Sequence, residues 1–306
     1  MNQSPDRLSY WFAALAPSND IAIAAVIDAM EERDVAHTVL LRRVDGHWKS
    51  DLLSARAIGV HWIGDSDQKC IVACQDGSIC TADGDSIQCR PIGTGREMPS
   101  TLRVLTSSRV IGRHLYVAGM QRQVFRLAVG GVEWERFDET CLVPRDVPEI
   151  AGFGAIDGDS DGSIYAVGYG GEIWRHDGRR WQRCPSPTNV KLVSIRAAGS
   201  DNVLIGGGNG ILICGGGERW SLIEQTVTTQ TIVAIEWHRG SFFVATGQGR
   251  IYRIIGQELH RIELPDSASA HWLHSDGAWL IALGYRAAYA MDPAGQWARM
   301  PLPQLG

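Results

Sequence analysis

Apolar runs only a few residues long, rich in Ile, Val, Tyr, Phe and Trp, recur along the chain between clusters of Gly, Ser, Asp and Asn. That is the pattern of strands separated by tight turns. β-Branched and aromatic side chains fit a pleated surface, whereas the turn residues tolerate positive φ or bond their own backbone. The clearest copy is Ile164 to Cys184 (IYAVGYGGEIWRHDGRRWQRC): a run, a Gly170-Gly171 turn, a second run, an Asp177-Gly178 turn, and a third run opened by Trp181. With Trp181 as marker, the equivalent position is filled by Trp48, Ile87, Trp134, Trp220, Leu259 and Trp297, at spacings of 38 to 47 residues. Glycine stands three residues before the marker at Gly84, Gly131, Gly178, Gly217 and Gly256, and two before it at Gly46 and Gly295. It stands ten residues before the marker at Gly77, Gly171, Gly210 and Gly249. A further turn is written with Ser, Asp or Asn, as at Ser160-Asp161, Ser200-Asp201-Asn202 and Ser275-Asp276.

Each unit therefore reads as four short antiparallel strands, and seven units of about 40 residues are the signature of a seven-bladed β-propeller, an all-β fold. The whole chain, 1–306, is expected to be one propeller domain with blades at about 9–52, 57–90, 102–137, 152–184, 192–224, 232–263 and 269–300. Closing the ring removes long open strand edges. The marker tryptophans are expected to pack between blades. Blade 1 is the least regular, with strands at about Tyr10 to Leu15, Ile21 to Ile27, Thr38 to Arg43 and His47 to Leu52, and a long connection from Asp28 to Ala36. Blades 3 and 4 carry extra residues around Arg90 to Arg103 and Phe137 to Gly152. The innermost strand of blade 3 could lie at Leu102 to Leu105 or at Arg109 to Ile111, and the mode of ring closure stays open.

Gly171-Glu172-Ile173 followed by Asp177-Gly178-Arg179-Arg180-Trp181 resembles the bacterial BNR/YCF48-like and YVTN-like propeller repeats, over about residues 9–300. The resemblance implies the fold and says little about function, since propellers host many unrelated activities. The Asp-box of sialidases departs from what is written here, where Arg175 replaces its Ser and Asp177 adjoins Gly178. No Trp-Asp dipeptide ends a blade, so the WD40 pattern is not matched either.

Charge and cysteines narrow the class. A net charge of −5 argues against nucleic acid as the main partner. Seven cysteines, with no C-x-x-C, suggest free and mostly buried thiols in a reducing compartment. Cys70, Cys74, Cys80 and Cys89 fall within one unit, but their spacing is wrong for zinc. Leu8 to Ala16 (LSYWFAALA) faintly resembles a signal peptide, yet Asp6 cancels Arg7 and the run is needed as a strand. A cytoplasmic address is expected, with export as the alternative if residues 1–16 act as a signal.

Few residues suggest chemistry. Asp157, Arg196 and Glu236 each follow the apolar anchor of an innermost strand (Ile156, Ile195, Ile235), so they occupy equivalent channel positions in blades 4, 5 and 6. They read as a polar site at the channel mouth or as salt bridging between blades, with the structural role favoured. His61, His238, His271 and His274 lie on or beside innermost strands, but no H-x-H or H-x-x-x-H pair supports a metal site. Gly206-Gly207-Gly208 and Gly215-Gly216-Gly217 precede no helix with Lys-Ser/Thr and read as turn glycines. No catalytic residue, metal ligand or cofactor is assigned.

What remains is surface. Loops joining second to third strands share one face with the connections between blades, and binding usually resides on such loops. That face gathers Glu31, Glu32, Arg33, Arg96, Glu97, Arg122, Tyr169, Lys191, Gln248, Tyr285 and Arg286, to which the blade 4 insertion adds Glu139, Arg145, Asp146 and Glu149. The expectation is a non-enzymatic, monomeric scaffold that binds a protein partner through this face, without nucleic acid or membrane. A bacterial immunity or antitoxin role, plugging a toxin domain, fits that partner type. The alternatives are a glycan- or small-molecule-acting hydrolase or lyase at the channel mouth, and an assembly factor in the YCF48-like manner.

Overall fold

The computed structural model describes residues 7–16, 18, 20–64, 69–93, 104–143 and 151–303. They form seven sheets of four antiparallel strands, each paired in chain order from the innermost strand outward. The innermost strands are Leu8–Leu15, Ala57–Ile63, Leu105–Ile111, Phe153–Ser160, Leu192–Ala197, Ile232–His238 and Trp272–Ser275. The blade 3 strand thus starts at the end of one proposed segment and runs through the other. The long connection in blade 1 opens with a single helical turn, Asp28–Glu31.

The apolar side chains are sorted into seven buried clusters, one at each junction of neighbouring blades. Trp134 and Trp181 are buried at two of these junctions, and Trp48, Trp220 and Trp297 pack against three more. A marker side chain on the outermost strand reaches sideways over the preceding sheet of the ring, which is why the unit repeats it. Gly171 and Gly210 explain the glycine ten residues earlier. Both have φ near +71°, and a Cβ there would come within 2.2 Å of the Thr188 and 2.1 Å of the Thr228 carbonyl oxygen. A side chain at either turn would collide with the connection into the next blade.

Six innermost strands carry a bulge near their start, where the register slips by one residue. The extra residues are Trp11, Ile58, Thr106, Gly154, Val193 and Val233. A bulge re-aims the strand locally. Here Ile58, Thr106, Gly154, Val193 and Val233 line the mouth of the channel, and Trp11 lines a cleft beside it.

Two expectations need correction or completion. Cys80 and Cys89 sit directly opposite each other on the outer hairpin of blade 2 and form a disulfide, while Cys70, Cys74, Cys141, Cys184 and Cys214 are free thiols. This removes the cysteine argument for a reducing compartment, since such a bond persists where conditions are oxidising. Ring closure occurs without strand exchange: blades 1 and 7 each keep their own four strands. The seam is held instead by side chains and by one backbone hydrogen bond, Tyr10 N–H to the Tyr285 carbonyl at 3.2 Å. Trp272 packs edge-on against Phe12 at 4.9 Å and donates Nε1–H to the Ala13 carbonyl at 3.4 Å. Arg286 pairs with Asp28 at 2.5 Å and donates to the Leu8 carbonyl.

Candidate functional site: the channel mouth and the loop face

After the bulge, the same register step in each blade places one residue at one height of the channel. Arg109 lies opposite Tyr116, Asp157 opposite Tyr165, Arg196 opposite Leu204 and Glu236 opposite Phe243. The step is filled by His61 in blade 2, His274 in blade 7 and Ala14 in blade 1. Four of the seven therefore alternate in charge around the axis.

These four form a closed ion network. Asp157 receives Arg109 Nε at 3.1 Å and Arg196 Nη1 at 3.1 Å. Glu236 receives Arg109 Nη2 at 3.3 Å and is ion-paired with Arg196 Nε at 2.6 Å. The Ala197 and Trp237 backbone N–H groups donate to Asp157 Oδ2 and Glu236 Oε1 at 2.9 and 3.0 Å. Both carboxylates are buried. Burial alone would lower the Arg109 pKa, but Asp157 and Glu236 outweigh it and raise it further above the arginine range. His61 is pushed down to about 3 by burial and then by Arg109 and His274, and His274 to about 3 by burial and then by Arg109 and Arg196. Neutral imidazoles thus border a charge-balanced ring. Its acceptors are spent on one another, which suits a rigid plug across the channel rather than a proton-transferring pair.

Asp157, Arg196 and Glu236 are therefore brought together, and Arg109 completes them. Arg109 escaped the sequence reading because Ser108, not Ile, precedes it and because the start of its strand was ambiguous. Matching Tyr116 in LYVAG to Tyr165 in IYAVG would have found it. His238 is instead buried against Ser275, Nδ1 to Oγ at 2.8 Å, and His271 stacks on Tyr285 with centroids 4.0 Å apart.

The loop face collects its residues in separate groups. Glu31 shares Arg56 with Asp34 at 3.4 and 2.6 Å, Glu32 is exposed, and Arg33 donates Nε–H to the Ala29 carbonyl at 2.8 Å. Tyr285 and Arg286 lie across the seam from this turn, joined to it through Asp28. Lys191 donates to the Tyr169 hydroxyl at 3.0 Å and lies over that ring. Gln248 and Glu139 are exposed. Arg122 is turned inward, with Nε on Glu172 at 2.7 Å and its guanidinium over Trp174. Arg96, Glu97, Arg145, Asp146 and Glu149 lie outside the described residues.

One feature of this face was not read from the sequence. Trp11, Ala25, Ile58 and Thr38 line a cleft of about 190 Å³ between blades 1 and 2. Phe12 and Ile58 are shared between this cleft and the channel-mouth cavity of about 210 Å³. It is built by large apolar side chains at two bulge positions, Trp11 and Ile58, and the sequence does not mark the bulges. Among the described residues, no helix is long and apolar enough to cross a membrane, and no His, Cys, Asp and Glu cluster has the makings of a metal site.

Comparison with known proteins agrees with the fold. No family model matches the chain. A curated protein of Pseudomonas aeruginosa, Immune protein Tsi7, is 27% identical over 288 residues, spanning 91% of this chain and 92% of that protein. Among solved structures, a catalytically inactive virginiamycin B lyase from Staphylococcus aureus with quinupristin superposes with a TM-score of 0.70 at 12% identity, covering 99% of this chain and 98% of that one. YCF48 from Cyanidioschyzon merolae gives a TM-score of 0.62 at 14% identity, with 97% of each chain covered. At these identities the structural likenesses speak for the seven-bladed architecture alone.

Proposed function

We propose that this chain is a bacterial immunity protein, a propeller scaffold that binds and neutralises a toxin protein through its loop face. The observation that carries the reading is the 27% identity to Immune protein Tsi7, which extends over nearly all of both chains. The geometry supports it. The channel is crossed by a self-satisfied ion network, while the one face formed by loops combines exposed charges with a channel-mouth cavity and an adjoining apolar cleft. The partner-binding set on this reading is the loop-face group, with Glu31, Glu32, Arg33, Glu139, Tyr169, Lys191, Gln248, Tyr285 and Arg286 presented directly.

The test is capture from the native host with the tagged full-length chain, followed by coexpression of the captured protein in a heterologous bacterium. A partner that is toxic alone and harmless with the propeller is the expected result. A monodisperse chain that retains no protein, and protects against none, sinks the proposal.

A further inference from the structure

The topology divides the exposed apolar side chains unevenly. On the side opposite the loop face, Val132, Ile255 and Trp279 stand singly on turns or at a strand end of different blades, the ordinary scatter of a soluble surface. On the loop face, Val104, Leu142, Leu222 and Val227 are exposed along other blade connections, while Trp11, Val35 and Tyr285 gather in the blade 7–blade 1–blade 2 sector, with the Trp11 and Tyr285 rings 5.5 Å apart. The cleft between blades 1 and 2 opens beside them, with room for one large side chain. An apolar pocket beside exposed aromatics, ringed by charges, is the anatomy of an interface hot spot.

Charge then selects the occupant. Among the described loop residues of this face, carboxylates outnumber cations. Of those cations, Arg56, Arg122 and Arg286 are tied to carboxylates of the same face and Lys191 is held on Tyr169, while Arg33, donating to the Ala29 carbonyl, and Arg250 are exposed. Glu32, Asp76, Glu139, Glu224 and Asp266 are exposed and have no ion-pair partner among the described residues. The cleft itself is bordered by Glu31 with Arg56, and by the turn that carries Glu32. The described loop residues of this face as a whole therefore carry a net negative charge around an apolar hole.

Resting on the protein-binding reading of this face, we infer that the partner docks by a cationic surface from which one aromatic or aliphatic side chain enters the cleft lined by Trp11 and Ile58. The cations meet the unpaired carboxylates and steer the encounter, and the anchor supplies the contact that resists dissociation.

The probe is a displayed library of random short peptides, panned in parallel against the full-length chain, Trp11→Ala, Glu32→Lys and, on the opposite side, Trp279→Ala. The expected winners pair an aromatic residue or Leu with several Lys or Arg. Their affinity should fall about 30-fold on Trp11→Ala, the loss typical of a buried aromatic anchor, and be unchanged by Trp279→Ala. It should also weaken on Glu32→Lys, an exposed position whose change leaves folding intact, and on raising salt from about 50 to 300 mM. Enriched peptides that are acidic or unbiased, or that bind Trp11→Ala and Glu32→Lys as well as the parent, overturn the inference. Host capture separates the two readings. A toxin neutralised through a different sector leaves the immunity role standing and this docking mode wrong, whereas cationic peptide binding without any toxin partner does the reverse.

Discussion

Arg109, Asp157, Arg196 and Glu236 stand or fall together, because each carboxylate is engaged by both guanidiniums. Arg109→Met leaves two buried carboxylates with a single cation, and should cost about 3–5 kcal/mol in urea-induced unfolding. Arg261→Met, which breaks the exposed pair with Glu263, should cost about 0–1 kcal/mol in the same measurement. The two flanking histidines give the channel a pH signature. In the folded chain His61 and His274 stay neutral until about pH 3, whereas the unfolded chain protonates them near the ordinary histidine value. The unfolded state then binds more protons, so stability is full above that value and drains as pH falls toward about 3. Unfolding free energies at about pH 7 and 4.5 should show this loss, and a His61→Gln/His274→Gln variant should lose less over the interval. Gly171 is a third residue-scale case. Gly171→Ala forces both a positive φ and a carbonyl clash, and should destabilise by about 2 kcal/mol or more. Gly178→Ala, at φ +88° with its nearest neighbour 3.6 Å away, should cost less.

At the scale of the strand, the turn glycines and apolar runs were enough to place most elements, because a period-2 strand cannot slip by one residue without exposing its core face. Where turn chemistry was weak, placement was weak. The blade 3 innermost strand was ambiguous because its unit lacks the glycine ten residues before the marker, where Val124 stands. The bulges were not legible at all. They depend on how each innermost strand bends at the channel, and no residue type announces them: Trp, Ile, Thr, Gly and Val all occupy the extra position. The disulfide was missed for a related reason. Cys80 and Cys89 are nine residues apart, and only the hairpin register makes them direct neighbours. Cys89→Ser should lower stability by about 2 kcal/mol, with the loss matched by adding reductant to the parent chain. Thiol trapping of protein isolated from its host should find this pair oxidised and the remaining cysteines free.

For the whole molecule, the decisive element is the seam. Many contacts within a blade are local, but blades 1 and 7 meet only when the entire chain has been laid down, and no shared sheet holds them. Trp272, Phe12, the Arg286–Asp28 pair and the Tyr10–Tyr285 backbone hydrogen bond therefore carry closure. Trp272→Ala should cost about 3–5 kcal/mol, as large aromatic truncations do. Hydrogen exchange should then quicken first in blades 1 and 7, while blades 3 to 5 keep their protection. The same seam places Tyr285, Arg286 and Trp11 side by side, so partner binding to this sector should slow ring opening and raise the unfolding temperature.

The repeat of Gly171, Gly178 and Trp181 was written in the chain because each copy solves a local problem: a turn that needs positive φ, and a side chain that must cover the preceding sheet. Seven copies determine a seven-bladed ring, and local physics suffices to read them. The channel network and the cleft are different. Arg109 and Glu236 are 127 residues apart, and Trp11 meets Ile58 only across two blades. Their proximity is set by ring closure and by bulge geometry, which no window of sequence contains, so those sites were decided by the tertiary structure.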